Sequence, residues 1–519
     1  MNRFLLCLQC VIIFITFLSS ALFAQTDRAE GGGFMVLVGR NITEHKSVLL
    51  ASNMASTKDV LSYIKRYPEA EHDSGDVVML KNGLSVPRTS LSYEWMALQT
   101  EQGIKDGNAV AVNQFGVAIG GGVSLAKDRN IKARNADPLV NDGLTREMFY
   151  IALQRSTSAR ECVRVLGNMF NKYGIAHISG FAIADSDEIW YLETGGGTHW
   201  AAIKIPPDAC WIQANSYRIS FIDPADRDVM TSPGIKEFAK ANDLWQPDDQ
   251  LFNFARAFGG RREKLDSQKY FDSRRIWSAY NLLNDSDSLP PDSFTFPTFI
   301  KPEKKVNMEK LITVLRDEYN ETRFYPYRAD TSFHIATSYQ TDTIEKADGT
   351  SLVDTVARHQ DTTYRIDSTG FSEYPIASER IVHTSILQLR DGLSSGLNSV
   401  LWAGFGNPIT SPYIPFYFGI NEVPEPYNSV TPDSAKASSY LSQLKSYYFD
   451  NPPKYRMKLL KPFDDFQKRC FKEQKIIHQQ AFRLYRSHNK MAPHFLTVTT
   501  DGYCQAVLDI VKSHLEDIK

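Results

Sequence analysis

The sequence predicts an α+β fold in which sheets stack and helices cover the outside, and three observations lead there. Strand-like runs come first, over residues 33–125, two helical patterns follow, strands return over 180–217, and further helices close the chain. The runs are short, apolar and closed by Gly, Asn, Ser or Asp turn chemistry, the texture of antiparallel meanders. The chain has 519 residues, 42% of them apolar and 12% aromatic, ample for a large buried core.

Taken in order, residues 1–24 read as a secretory signal peptide. Arg3 is followed by an uncharged apolar run from Phe4 to Leu18 and then by small residues. That run has 15 residues, short of the roughly 20 a spanning helix needs. Cleavage fits after Ala21 or Ala24, so an exported chain, secreted or periplasmic, with no stable membrane span is expected. The strand candidates FMVLVG, SVLLAS, DVVML and NAVAVNQFGVAIGGG follow. Residues 145–155 carry one apolar face, and 158–173 open with a capping box, Ser158 and Glu161, and stop at Gly174.

The run GFAIADSDEIWYLETGGGTHWAAIKIPPDACWIQANSY reads as one antiparallel meander. Helices are expected at 232–242, with Ser232 as N-cap, and at 273–284 and 307–319. Residues 328–373 alternate Thr, Ser, Asp and Tyr with apolar positions around Ala347-Asp348-Gly349, the texture of a long polar β-hairpin set into the body. SILQLRDG and SVLWAGFGNP supply two more strands, and 433–519 is mainly helical, with Phe463, Phe466, Cys470, Ile477 and Ala481 on a core-facing stripe.

Several chemistries are disfavoured. With 58 basic and 60 acidic residues and no basic stripe, nucleic acid is not an expected partner. The eleven histidines contain no HExxH, and no Cys/His ligand spacing occurs, so no metal site is assigned. The glycine runs at 31–33, 120–122 and 195–197 lack phosphate-cradle spacing, and no cofactor is expected. Gly392-Leu393-Ser394-Ser395-Gly396 matches a nucleophile elbow, but an elbow needs a helix after it and LNSVLWAGF reads as a strand. Beyond the signal, Cys162, Cys210, Cys470 and Cys504 leave both disulfides and buried thiols open.

The meander, with TSPGIKEFAKAN, FNFARAFGG, SRRIWSAYNLLN, LITVLRDEYNET, SILQLRDG and SPYIPFYFGINEVPEPY in that order, resembles the dipeptidase A and secernin family. The resemblance covers about 33–325 and 378–430. It implies an N-terminal-nucleophile hydrolase with a four-layer αββα fold. Residues 25–327 and 377–430 then form its two parts, 328–376 the inserted hairpin, and 431–519 a helical region.

In that family a cysteine opens the first strand and is the mature N-terminus, its α-amino group serving as base. Laid on FMVLVGR, the cysteine's place falls on Gly33. The family's Asp-Gly-Ser turn reads His45-Lys46-Ser47 here, and its Ala-Arg-Asn-Asp strand reads Ala51-Ser52-Asn53-Met54. Asn215 matches the family's oxyanion-donating asparagine, and Asn113 matches a second substrate-facing asparagine of the wider superfamily. The resemblance implies a dipeptide or small amide as ligand and carries no oligomeric state. Three readings follow: a pseudoenzyme that keeps the pocket, a hydrolase using another nucleophile such as Thr26 or a pocket serine, or an interaction protein using the hairpin and C-terminal helices.

Overall fold

A computed structural model describes residues 33–56, 58–103, 109–125, 129–246, 251–260, 267–284, 288–291, 293–320, 322–327, 338–345, 351–358, 374–430 and 436–518. The signal peptide, Thr26 and the Ala347-Asp348-Gly349 turn lie outside them. The chain divides into two units, Met1–Arg316 with Ile376–Lys519, and Asp317–Pro375.

In the larger unit the apolar runs become two antiparallel sheets. The strands are β1 (Gly33–Val38), β2 (Val48–Ala55), β3 (Ser62–Tyr67), β4 (Trp95–Thr100), β5 (Val110–Asn113), β6 (Ala118–Ser124), β7 (Ser179–Ala184), β8 (Ile189–Thr194), β9 (Trp200–Ile205), β10 (Cys210–Gln213) and β11 (Val229–Thr231). In the smaller unit, β12 (Ser338–Glu345) pairs antiparallel with β13 (Ser351–Arg358), from Ser338 opposite Arg358 to Glu345 opposite Ser351. The larger unit resumes with β14 (Ile381–Leu389), β15 (Ser399–Gly404) and β16 (Ile414–Tyr417). One sheet has the order β10-β1-β2-β14-β15-β16 and the other β11-β9-β8-β7-β6-β5-β4-β3.

The expected meander is therefore broken at its end. Strands β7, β8 and β9 pair in sequence, but β10 leaves them and pairs with β1, Met35 opposite Gln213 and Leu37 opposite Trp211. Period-two patterning marks a strand without naming its neighbour.

The inner strands of the eight-stranded sheet are buried on both faces. Along β8, Trp190 and Leu192 join a core with Met148, Phe149, Cys162, Leu166 and Phe170 of helices α1 (Met148–Leu153) and α2 (Ala159–Tyr173). Ile189 and Tyr191, which alternate with them, join the core shared with the six-stranded sheet. The rings of Tyr191 and Trp211 lie 5.1 Å apart across that boundary, a contact worth about 0.5–1.5 kcal/mol beyond its buried area.

Further helices are α3 (Ile235–Ala241), α4 (Ser267–Leu283), α5 (Met308–Leu315), α6 (Ala437–Asp450), α7 (Pro452–Ser487) and α8 (Met491–Ile518). Helices α4, α5 and α8 meet β10, β2 and β16 respectively. Helix α7 sets Phe471 against Trp402 of β15, with ring centroids 5.1 Å apart.

Local signals explain several boundaries. Ser158 caps α2, its Oγ accepting from Glu161 N at 3.2 Å, while Glu161 Oε2 reaches back to Thr157 N at 2.7 Å. The reciprocal bond thus falls one residue earlier than in a standard capping box. Gly174, at φ +75°, ends the helix. Helix α3 starts later than expected, with Gly234 at φ +68° as its N-cap, because Ser232 Oγ accepts instead from Trp200 N at 3.4 Å. Helix α5 is capped by Asn307, whose side chain accepts from Lys310 N, and ends at Leu315 rather than at residue 319. The Gly392–Gly396 segment is a turn between β14 and β15, in which Ser394 O accepts from Leu397 N and Asn398 N.

The turn before β8 holds a charged cluster. Burial raises the Glu188 pKa, but hydrogen bonds from Arg160, Trp190 and Lys204 outweigh it and hold the carboxyl at about 2, against an ordinary value of 4.5. A depressed carboxyl pKa contributes stability above its unfolded value and loses it as pH falls through the folded one. The wild type should therefore lose stability between about pH 4.5 and pH 2, and Glu188→Gln should lack that part of the slope. Urea midpoints measured across this window check it.

Candidate active site

Strand β1 opens on Gly33, which is buried. Gly33 is opposite Met54 of β2, and Met54 is opposite His383 of β14. One step inward, Met35 faces Ser52 and Ser52 faces Ser385. Alternation puts Gly33, Met35 and Leu37 on one face. Leu37 pairs with Trp211, which touches Tyr191 of the other sheet, so this face looks between the sheets. Met54 and His383 are both 0% exposed. An apolar thioether thus sits directly across from the strand opening.

Asn215, two residues past β10, holds φ +56° and is 8% exposed. A non-glycine residue there is uncommon and persists when its surroundings fix it. Arg275 of α4 supplies one fixing contact, its Nη2 donating to Asn215 Oδ1 at 3.0 Å. Nη1 of the same guanidinium donates to Gly33 O at 3.3 Å, and Nη2 also pairs with Asp272 Oδ1 at 3.0 Å. Arg275 therefore gathers the start of β1, the asparagine after β10 and a carboxylate one helical turn away.

The sequence reading missed Arg275 and Asp272. Their i,i+3 spacing beside Ile276 and Ala279 was the available signal: both charges lie among apolar positions, where charge is retained when paired. Ser52 and Met54 of β2 carry no charge beside the start of β1, and the arginine–aspartate pair reaches that end from a helix.

Asn113, expected to face substrate, has its side-chain amide on backbone groups. Its Nδ2 donates to Leu153 O at 2.9 Å and Ser156 O at 2.7 Å, and its Oδ1 accepts from Phe115 N and Val117 N, both at 3.0 Å. The amide is committed to a turn and to the end of α1, on the helix side of the eight-stranded sheet. Glu193 accepts from Arg218 N and Ile219 N, and Thr194 Oγ1 accepts from Ser179 N. His199 Nδ1 lies 2.9 Å from Asp137 Oδ2, and its ring stacks on Phe238 with centroids 3.9 Å apart. These groups fasten loops.

The four described cysteines are free and buried. Burial drives each thiol upward, Cys162 to about 12 and Cys210, Cys470 and Cys504 further. Thiols so protonated are poor nucleophiles at neutral pH. One step in from Gly33, on its own face of the sheet, are the hydroxyls of Ser52 and Ser385, whose Oγ atoms lie 3.0 Å apart.

Comparison with known proteins meets this geometry. The model described as Peptidase family C69 matches residues 34–447, beginning directly after Gly33. The chain belongs to Peptidase family C69. Several proteins similar to it carry dipeptidase names. A "Probable dipeptidase" of Latilactobacillus sakei is 29% identical over 424 residues, covering 80% of each chain. A "Probable dipeptidase" of Salmonella dublin is 26% identical over 74% of this chain and 80% of its own. "Probable dipeptidase B" of Lactococcus lactis subsp. lactis is 26% identical over 77% of each. The dipeptidase resemblance read from the sequence and the family model agree.

Proposed function

We propose that this family C69 member is an exported dipeptidase-type protein with the four-layer αββα architecture of N-terminal-nucleophile hydrolases, retaining a dipeptide-sized site but impaired in hydrolysis. The layering is supported by helices α1 and α2 on one sheet, α4, α5, α7 and α8 on the other, and a common core between the sheets. The observation that carries the impairment is Gly33: the residue that opens β1 has no side chain, and the side chain across from it is Met54. Export rests on residues 1–24. Asn215 and Arg275 supply polar groups at this end for a substrate carbonyl or carboxylate.

A second reading, a hydrolase with a substitute serine, has the Ser52–Ser385 pair in its favour. An electrophilic dipeptide mimic followed by peptide mass mapping separates the two. The first reading expects no covalent acyl adduct on any residue. An adduct on Ser52 or Ser385 establishes the second, and one on a newly exposed N-terminal residue overturns the first as well.

A further inference from the structure

The far end of the six-stranded sheet carries a cavity of about 780 Å³, lined in part by Lys46, Arg390, Gln474, Lys475 and His478. It lies past the Val38 end of β1, on the order of 20 Å from Gly33 at ~3.3 Å per residue. It is separate from the candidate active site, and no residue assigned there lines it.

Arg390, directly after β14, stands in its wall. Its Nε donates to Ser47 Oγ at 3.3 Å, Nη1 to His478 Nδ1 at 2.7 Å and Nη2 to Gln474 Oε1 at 3.1 Å. All three acceptors are neutral, and among the described residues no carboxylate pairs with this guanidinium. Burial accordingly pulls its pKa down, to about 10. A guanidinium has five N–H groups, so two remain beyond these bonds. An arginine withdrawn from water without a counter-charge is costly unless something supplies one.

The surroundings add positive charge. Lys46, held at φ +52°, and Lys475 line the same cavity, and among the described residues neither has a carboxylate partner. Arg40 also lines it but is matched by Asp187 at 2.5 Å. Asp391 is the single acid among the lining residues, and its Oδ1 is engaged by Gly392 N at 2.7 Å. His478 accepts from Arg390 through Nδ1, so its proton sits on Nε2, a buried donor with no partner among the described residues. Arg390, Lys46 and Lys475 against Asp391 leave a surplus of two positive charges.

We propose that this cavity binds a phosphate-type oxyanion, a tetrahedral dianion taken by the two remaining N–H groups of Arg390 and flanked by Lys46 and Lys475. The surplus matches a dianion better than a monocarboxylate. The planar guanidinium fork suits two oxygens of one phosphate. Such a group occurs free or as a monoester.

Isothermal titration of the full chain with inorganic phosphate and with phosphoserine, against chloride at matched ionic strength, tests this. Saturable binding with one-to-one stoichiometry is expected for at least one of the two, and tighter binding of phosphoserine would identify an ester as the source. The Lys46→Ala/Lys475→Ala variant should weaken binding about tenfold or more. Arg390→Lys, which keeps the charge without the fork, should also weaken it. Because Arg390 is largely buried, the lysine variant guards against a folding defect. No binding above the chloride control, or undiminished binding by the double lysine variant, would overturn the proposal.

Discussion

Wild-type protein offered a panel of dipeptides should hydrolyse them no more than about 10³- to 10⁴-fold above the uncatalysed rate, the residue of catalysis left when a nucleophile is removed from a comparable acyl-transfer site. Working enzymes reach roughly 10⁶- to 10¹⁷-fold, so the two outcomes differ by orders of magnitude. The expectation follows from Gly33, and it extends to a rescue experiment. Gly33→Cys alone should recover little, because Met54 faces the new thiol and Ser52 and Met35 lie one step inside. A cysteine there meets apolar burial of the kind that raises the Cys162 thiol to about 12. Gly33→Cys with Met54→Asp should exceed Gly33→Cys alone. Wild-type turnover at ordinary dipeptidase rates, measured by amino-acid release, would refute the impairment.

Replacing Arg275 by Met should destabilise the protein by about 3–5 kcal/mol, the range for breaking a buried ion pair from one side. Arg275 and Asp272 have side-chain exposures of 2% and 9%, so solvent screens the pair little. The substitution also removes the donors to Gly33 O and Asn215 Oδ1. Asn215 would then lose one of the contacts that hold it at positive φ. The double variant Arg275→Met/Asp272→Leu should be less destabilised than Arg275→Met alone, since no carboxylate is then stripped of its arginine. Urea unfolding of the three proteins reads the difference, and a loss under 1 kcal/mol would show that the cluster is not a structural clamp.

The fold class was legible because local signals act locally. Ser158 and Glu161 mark α2 from within a four-residue window, and the alternation of Trp190 and Leu192 with Ile189 and Tyr191 gives a strand two buried faces. Partnerships were not legible where they join distant residues. Strand β10 reads as the last stroke of a meander, and only the structure places it beside β1. Asn113 and Asn215 look alike on paper, each beside turn-forming residues. One spends its whole amide on backbone groups, while the other is held by an arginine 60 residues away. Arg275 escaped notice because its value lies in a carbonyl 242 residues distant. An i,i+3 ion pair on a helix reads equally well as a solvated face.

The position of β1 has a consequence for how the polypeptide matures. Its two edges are satisfied by β2, next in sequence, and by β10, which emerges only after residue 209, while the outer edge of β2 waits for β14 at Ile381. A ribosome-bound fragment ending before that point exposes an unpaired apolar ladder, an invitation to intermolecular pairing. Closure by such distant segments is also intrinsically slow. Truncations that remove β14 should therefore precipitate rather than persist as a smaller soluble body, and productive synthesis favours conditions that delay collapse until the late strand arrives.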